Sequence, residues 1–148
     1  MSLLIREATE ADLDDVLTLY LQSGLDSHVL EPEQARAVFR RFAQYPSYRL
    51  FVACMAPAGP VVGSYALLIM HNLAHCGTPS AIAEDVVVAS DHQGKGIGRQ
   101  LMAHAVQQAR DAGCYKLALS SNAKRQSAHA FYESLGFQRH GISFVIET

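Results

Sequence analysis

The chain has 148 residues, 49% of them hydrophobic and 18% charged, with a formal net charge of −2. This is the size and composition of a single globular domain, 1–148, with enough apolar material for a sizeable core, and it excludes a disordered chain. The slight acidity argues against a nucleic-acid backbone as the main partner, and no apolar run approaches membrane length.

The first elements follow from patterning. Residues 3–7 read as a strand; their short apolar patch runs at once into Arg6-Glu7, which is not a signal peptide. Thr9 has the character of an N-cap, and Glu10, Asp12, Asp14 and Asp15 crowd acid into the first turns of a helix. Leu13, Val16, Leu17, Tyr20 and Leu21 form its apolar stripe, and Gly24 ends it. A second helix opens at Glu31-Pro32-Glu33, with Val38, Phe39 and Phe42 expected inward, and stops at Tyr45-Pro46. Residues 48–55 and 61–70 read as an antiparallel hairpin about the Ala56–Pro60 turn.

The loop 71–79 contains His71, His75 and Cys76, which resemble part of a zinc site. A closed site wants four ligands and no matching Cys/His pair lies nearby, so no metal is expected and a role near a substrate is the favoured reading. The three cysteines, Cys54, Cys76 and Cys114, are widely spaced and odd in number, which reads most simply as a reduced, cytoplasmic protein.

Residues 84–112 organise the rest. A β-branched strand, 81–88, ends at a polar turn, a glycine-rich loop follows, and Ile97, Leu101, Ala105 and Ala109 then mark one face of a helix closed by Gly113. Strand, glycine loop and helix make a phosphate-binding arrangement, because a helix start leaves amides unpaired and glycine lets an anion come close. A P-loop is excluded, since Gly94-Lys95 is followed by Gly96 rather than a hydroxyl residue; a dinucleotide fingerprint is excluded by Arg99. Beyond it, residues 115–120 read as a strand and 127–135 as a helix with Ala128, Phe131 and Leu135 on one face. Residues 137–139 and 143–146 read as two closing strands turned at Gly141.

Gln93-Gly94-Lys95-Gly96-Ile97-Gly98 resembles the Gln/Arg-x-x-Gly-x-Gly/Ala segment of the GCN5-related N-acetyltransferases (GNAT), and 128–137 resembles that family's Ala-x-x-Phe-Tyr-Glu-x-x-Gly-Phe signature. The resemblance implies an α/β fold, a central mixed, mostly antiparallel β-sheet flanked by about four helices. It implies acetyl-CoA as acetyl donor and direct transfer to a primary amine, most simply of a small molecule, in a ternary complex. Gln93, Gly94, Lys95, Gly96, Gly98 and Arg99 would hold the pyrophosphate. The backbone of Val86, Val87 and Val88 would hold the pantetheine arm, with Val86 donating to the thioester carbonyl. The region between the first two strands would line the acceptor site, where Asp26, His28 and Arg36 are candidates. A protein or peptide N-terminus as acceptor, or a non-catalytic acyl-CoA sensor, are the alternatives; a homodimer is a further implication.

Acetyl transfer to an amine needs a base, an oxyanion donor and an acid. Glu84 is the candidate base. Alternation places it with Ile82, Val86 and Val88, opposite Asp85, where apolar neighbours would raise its pKa; Asp85 is the rival if a bulge breaks the alternation. Tyr132 is the candidate acid, with a core aromatic role as the alternative. Relatives often carry asparagine seven residues before this tyrosine; here that residue is Arg125, which leaves Asn122 or Ser127 as candidates for the cofactor contact.

Overall fold

The computed structural model describes residues 2–148. Its extended runs form β1 (Leu4–Glu7), β2 (Tyr48–Cys54), β3 (Val61–Met70), β4 (Ser80–Val88) and β5 (Leu117–Ala118). They pair in that order into one sheet, antiparallel from β1 to β4, with β5 parallel to β4. The helices are α1 (Leu13–Ser23), α2 (Pro32–Arg41), α3 (Ile97–Asp111) and α4 (Gln126–Ser134). The chain divides into two compact units, one ending at Ala118 and one comprising Leu119–Thr148.

In the first unit, the entry to α1 is fixed by charge. Thr9 caps a short 3-10 turn, Glu10–Asp12, that leads into α1; its N–H and hydroxyl both donate to the Asp12 carboxylate, at 2.7 and 3.2 Å. Arg6 grips the same carboxylate with two N–H groups, at 2.7 and 2.9 Å, and holds the Asp12 pKa below its ordinary value. Within α1 the buried residues are Leu13, Val16 and Leu19, whereas Leu21 is exposed. The buried arc centres on Val16, so the expected stripe is rotated and its late leucine falls outside. In α2 Ala35 and Phe39 turn inward, Phe42 in the 3-10 turn that follows continues their spacing at i+7, and Val38 is exposed rather than inward.

The face of α3 is the expected one: Ile97, Leu101, Ala105 and Ala109 are buried, joined by Met102. The helix reaches β3 at Gly63, where a Cβ would lie 2.9 Å from Leu101 Cδ1 and 3.2 Å from Ile97 Cγ2. Beside this contact Tyr65, fully buried, bonds its hydroxyl to His104 Nδ1 at 2.7 Å. Burial, and then Arg49, lowers the His104 pKa.

Two expectations about strands are corrected. Of residues 115–120 only Leu117 and Ala118 pair, with Ala81 and Ile82. Among the described residues of 137–148 there is no strand, and Ile142, Phe144, Val145 and Ile146 are exposed. Apolar patterning gives a segment strand propensity, but a strand exists only where another backbone completes its ladder. In the second unit, α4 keeps Ala128, Phe131 and Leu135 half-buried.

Candidate active site

The site begins with an irregularity in β4. Ala66 of β3 pairs with Glu84 and Ser64 pairs with Val87, so Asp85 and Val86 together oppose Tyr65 alone. This is a β-bulge, and Asp85 takes it up with φ +54°, a region that aspartate tolerates better than most residues. The extra residue breaks the alternation. Glu84 shares a face with Ile82 and Val87, not with Val86 and Val88 as strict alternation predicts.

The bulge has a second consequence. The register gives neither Asp85 nor Val86 a one-to-one partner on β3. On the other edge of β4, β5 pairs only with Ala81 and Ile82, and among the described residues no other strand follows. From Ala83 onward, β4 therefore offers main-chain groups to an extended, amide-bearing ligand.

Partial withdrawal from water raises the Glu84 pKa, and the neighbouring Asp85 charge raises it further. Asp85 is also raised, by burial and then by Asp26. Two phenols share this region. Tyr20 on α1 is pushed up by burial and then by Asp85, Tyr48 and Asp26; Tyr48 on β2 by burial and then by Asp85, Glu84 and Tyr45. Asp26 is drawn back over the end of α1 by its N–H, which donates to the Tyr20 carbonyl at 3.2 Å. The Tyr48 ring stacks on Phe42 at 4.4 Å and forms one wall of an open cavity of about 560 Å³ that Phe39, Arg40 and Arg49 also line. Tyr20 and Tyr48 were not candidates from sequence, because each satisfies an ordinary pattern there, a helix stripe and a strand start. Asp26 was a candidate and lies in the cluster. Neither His28, bonded to Ser27 at 2.9 Å, nor Arg36, 3.6 Å from Glu33, is among the charges that perturb Glu84 or Asp85.

Downstream, a 3-10 turn at Ser90–His92 leads into the glycine loop. Gly94 and Gly96 have φ of 78° and 81°, and Gly96 is the N-cap of α3. No side chain caps this helix, so its first amides, at Ile97, Gly98 and Arg99, have no partner within the helix. Lys95 and Arg99 are exposed, and among the described residues neither forms an ion pair. Gln93 and Gly94 are exposed beside them. The loop thus gathers amides, a helix N-terminus and two cations without ion pairs, groups whose chemistry suits an anion.

In the loop before β4, Asn72 ties the backbone by donating to the Thr78 carbonyl at 2.9 Å, and the His75 ring packs on Tyr115 at 4.5 Å. Among the described residues no group of three or more histidine, cysteine, aspartate or glutamate side chains could hold a metal ion.

In the second unit, Tyr132 is half-buried between Phe131 and Phe137, with ring centroids at 5.2 and 5.8 Å. Burial raises its pKa against a lowering by Arg125, so the phenol keeps its proton at neutral pH. Asn122 is exposed. Its side-chain oxygen accepts from the Lys124 N–H at 2.9 Å and its carbonyl from His129 Nε2 at 2.8 Å. Ser127 is exposed on the first turn of α4.

The model of the acetyltransferase (GNAT) family matches residues 13–137. The chain belongs to the GNAT acetyltransferase family. With that membership it is an N-acetyltransferase of the acyltransferase class, EC 2.3.1, and its five-stranded mixed sheet and four helices are the GNAT fold. It is 34% identical over 143 residues to an aminoalkylphosphonate N-acetyltransferase of Salmonella typhimurium, covering 95% of this chain and 88% of that protein. It is 38% identical over 89 residues to a glucosamine 6-phosphate N-acetyltransferase of Trypanosoma brucei brucei, covering 60% of this chain and 58% of the relative. A solved acetyltransferase structure from Trypanosoma brucei superposes with a TM-score of 0.86 at 28% identity, covering 99% of this GNAT chain and all of the other.

Proposed function

We propose that this chain works as one domain, in the cytoplasm, transferring the acetyl group of acetyl-CoA directly to the primary amine of a small molecule in a ternary complex. The observation that carries the reading is the continuity of the bulged β4, with Glu84, into the uncapped glycine-loop start of α3. Free cysteines at all three positions fit the compartment.

The loop amides at 94–98, with Gln93, Lys95 and Arg99, hold the pyrophosphate. The β4 backbone from Val86 to Val88 pairs with the pantetheine arm, and the Val86 amide donates to the thioester oxygen as charge develops on it. Glu84 takes a proton from the acceptor ammonium; a carboxylate with a raised pKa is the better base. The freed nitrogen bonds to the acetyl carbon; as the carbon–sulfur bond breaks, Tyr132 gives its proton to the departing thiolate, and the second proton leaving the nitrogen passes through solvent to restore the Tyr132 hydroxyl. Asn122 or Ser127 contacts the cofactor.

The acceptor side is acidic and aromatic, with Asp85, Asp26, Tyr20 and Tyr48 around Glu84. Such a lining favours an ammonium group. Incubating the protein with acetyl-CoA and a panel of amines, read by free-thiol release, tests the reading. Release that depends on a small amine supports it. Release only with peptide N-termini moves the acceptor class, and acetyl-CoA binding without turnover on any amine replaces the enzyme by a sensor.

A further inference from the structure

The open cavity where α2 ends and β2 begins is walled by aromatic rings. Phe39 and Phe42 lie 5.6 Å apart between ring centroids, Phe42 stacks on Tyr48 at 4.4 Å, and Tyr45 meets Tyr48 edge-on at 5.6 Å. All four rings line the cavity, whose volume of about 560 Å³ is that of a small-molecule site. Its two cations are already engaged. Arg40 donates to the Glu10 carboxylate at 2.6 and 3.3 Å, and Arg49 donates to Gln108 Oε1 at 3.0 Å and lies 5.0 Å over the Phe51 ring. Glu7, without an ion pair among the described residues, adds a negative charge to the lining. Aromatic faces with engaged cations suit an uncharged flat ring and disfavour an anion.

The strand register leads from this cavity to the candidate base. Tyr48 opposes Leu68 on β3, and Leu68 opposes Ile82 on β4. Leu50, another cavity residue, opposes Ala66, which opposes Glu84. These side chains therefore share one face of the sheet. Leu50 and Ala66 are buried, whereas Tyr48, Leu68 and Ile82 are half-buried and keep apolar surface open. Their row runs from the cavity to β4 across two strand spacings, about 9.5 Å, and ends one alternate position from Glu84.

We propose that the acceptor is an amine joined by an apolar chain to an aromatic ring: the ring sits in the cavity, the chain crosses Leu68 and Ile82, and the amine meets Glu84. The inference rests on the reading of β4 as the place of acetyl transfer. Tyr48 belongs to both regions, since its ring walls the cavity and the charges of Asp85 and Glu84 reach its phenol. A sugar body fits less well, because side chains that would bond its hydroxyls, Arg40, Glu10 and Arg49, already bond one another or Gln108.

Free-thiol release by the full chain with acetyl-CoA tests this, with phenylbutylamine, benzylamine, butylamine and glucosamine as acceptors. The expected kcat/KM for phenylbutylamine is about 10-fold or more above that for butylamine, through KM, because the ring leaves water for an aromatic lining. Benzylamine, too short to reach the cavity from Glu84, is expected to gain no such advantage. Tyr45 is 56% exposed, so Tyr45→Ala opens the cavity wall and spares the core. This variant is expected to lower the ratio of phenylbutylamine to butylamine about 3-fold or more. Equal kcat/KM for those two amines overturns the inference and leaves acetyl transfer standing; so does an unchanged ratio in Tyr45→Ala, or a preference for glucosamine. Release with no amine at all overturns the acetyl-transfer reading, and this inference with it. If the variant does not fold, the comparison of amines on the unmodified chain still decides.

Discussion

With φ at +54°, Asp85 adds one residue to β4 where β3 has only Tyr65 to oppose it. Its charge also acts on Glu84, whose pKa it raises after the larger effect of burial. The sign of a substitution follows. Asp85→Asn keeps a residue that tolerates the left-handed region and removes the neighbouring negative charge, so the Glu84 pKa falls. The acid limb of the kcat/KM profile is expected to move to lower pH, and KM for a cationic amine to rise; a pH series with both enzymes reads both changes. An unmoved acid limb would separate the limb from Glu84. Tyr132→Phe deletes only a hydroxyl between two aromatic rings. The expected fall in kcat is about one to three powers of ten, and the stability change about 1 kcal/mol or less. Full activity at saturating acceptor would leave Tyr132 a packing residue.

At the level of elements, the proposed anion site is the uncapped start of α3. Gly96 sits at φ 81° with no atom within 4 Å of where its Cβ would be. Aspartate is among the residues that best tolerate this backbone, so Gly96→Asp tests charge more than shape. Acetyl-CoA is expected to raise the melting temperature of the unmodified protein by mass action and to leave that of Gly96→Asp unmoved. Equal shifts would remove the loop from the cofactor site. The same helix carries a pH term. The folded chain holds His104 neutral against the Tyr65 hydroxyl, its pKa below the unfolded value of about 6.5. The unfolded chain then binds the extra proton first. The stability contributed by neutral His104 is full above pH 6.5 and is lost as pH falls through that value toward the folded pKa. Denaturant melts from pH 7.5 to 5.5 should show this loss, and His104→Gln should flatten it.

Across the whole molecule, what could be read from sequence was what local signals encode. Residues 84–112 were legible because strand, glycine loop, helix face and closing glycine lie within one short stretch, and Ile97, Leu101, Ala105 and Ala109 are buried as their spacing demands. The bulge was legible only as an alternative, because it is fixed by pairing with β3 and not by β4 itself. Tyr20 and Tyr48 come to the Glu84–Asp85 bulge from α1 and β2, Tyr20 through Asp85, a convergence that no one-dimensional pattern contains. Leu21 and Val38 were misplaced because a stripe gives the width of a buried arc better than its centre. Residues 143–146 carry a strand pattern whose partner the sequence does not specify.

The central claim is that the bulged β4 carries the base for acetyl transfer beside an intact cofactor loop. Glu84→Gln keeps the shape and removes the base. Since the fold raises the Glu84 pKa, its charged form is disfavoured in the folded chain: the stability linked to this group is present below the unfolded pKa and lost as pH rises. At neutral pH the glutamine variant should therefore melt no earlier than the unmodified protein. The decisive measurement is kcat for this variant at saturating acetyl-CoA and amine, with acetyl-CoA affinity measured by calorimetry. A fall of roughly 10²–10⁴-fold with unchanged cofactor affinity is the expected result. Turnover equal to that of the unmodified protein would contradict it.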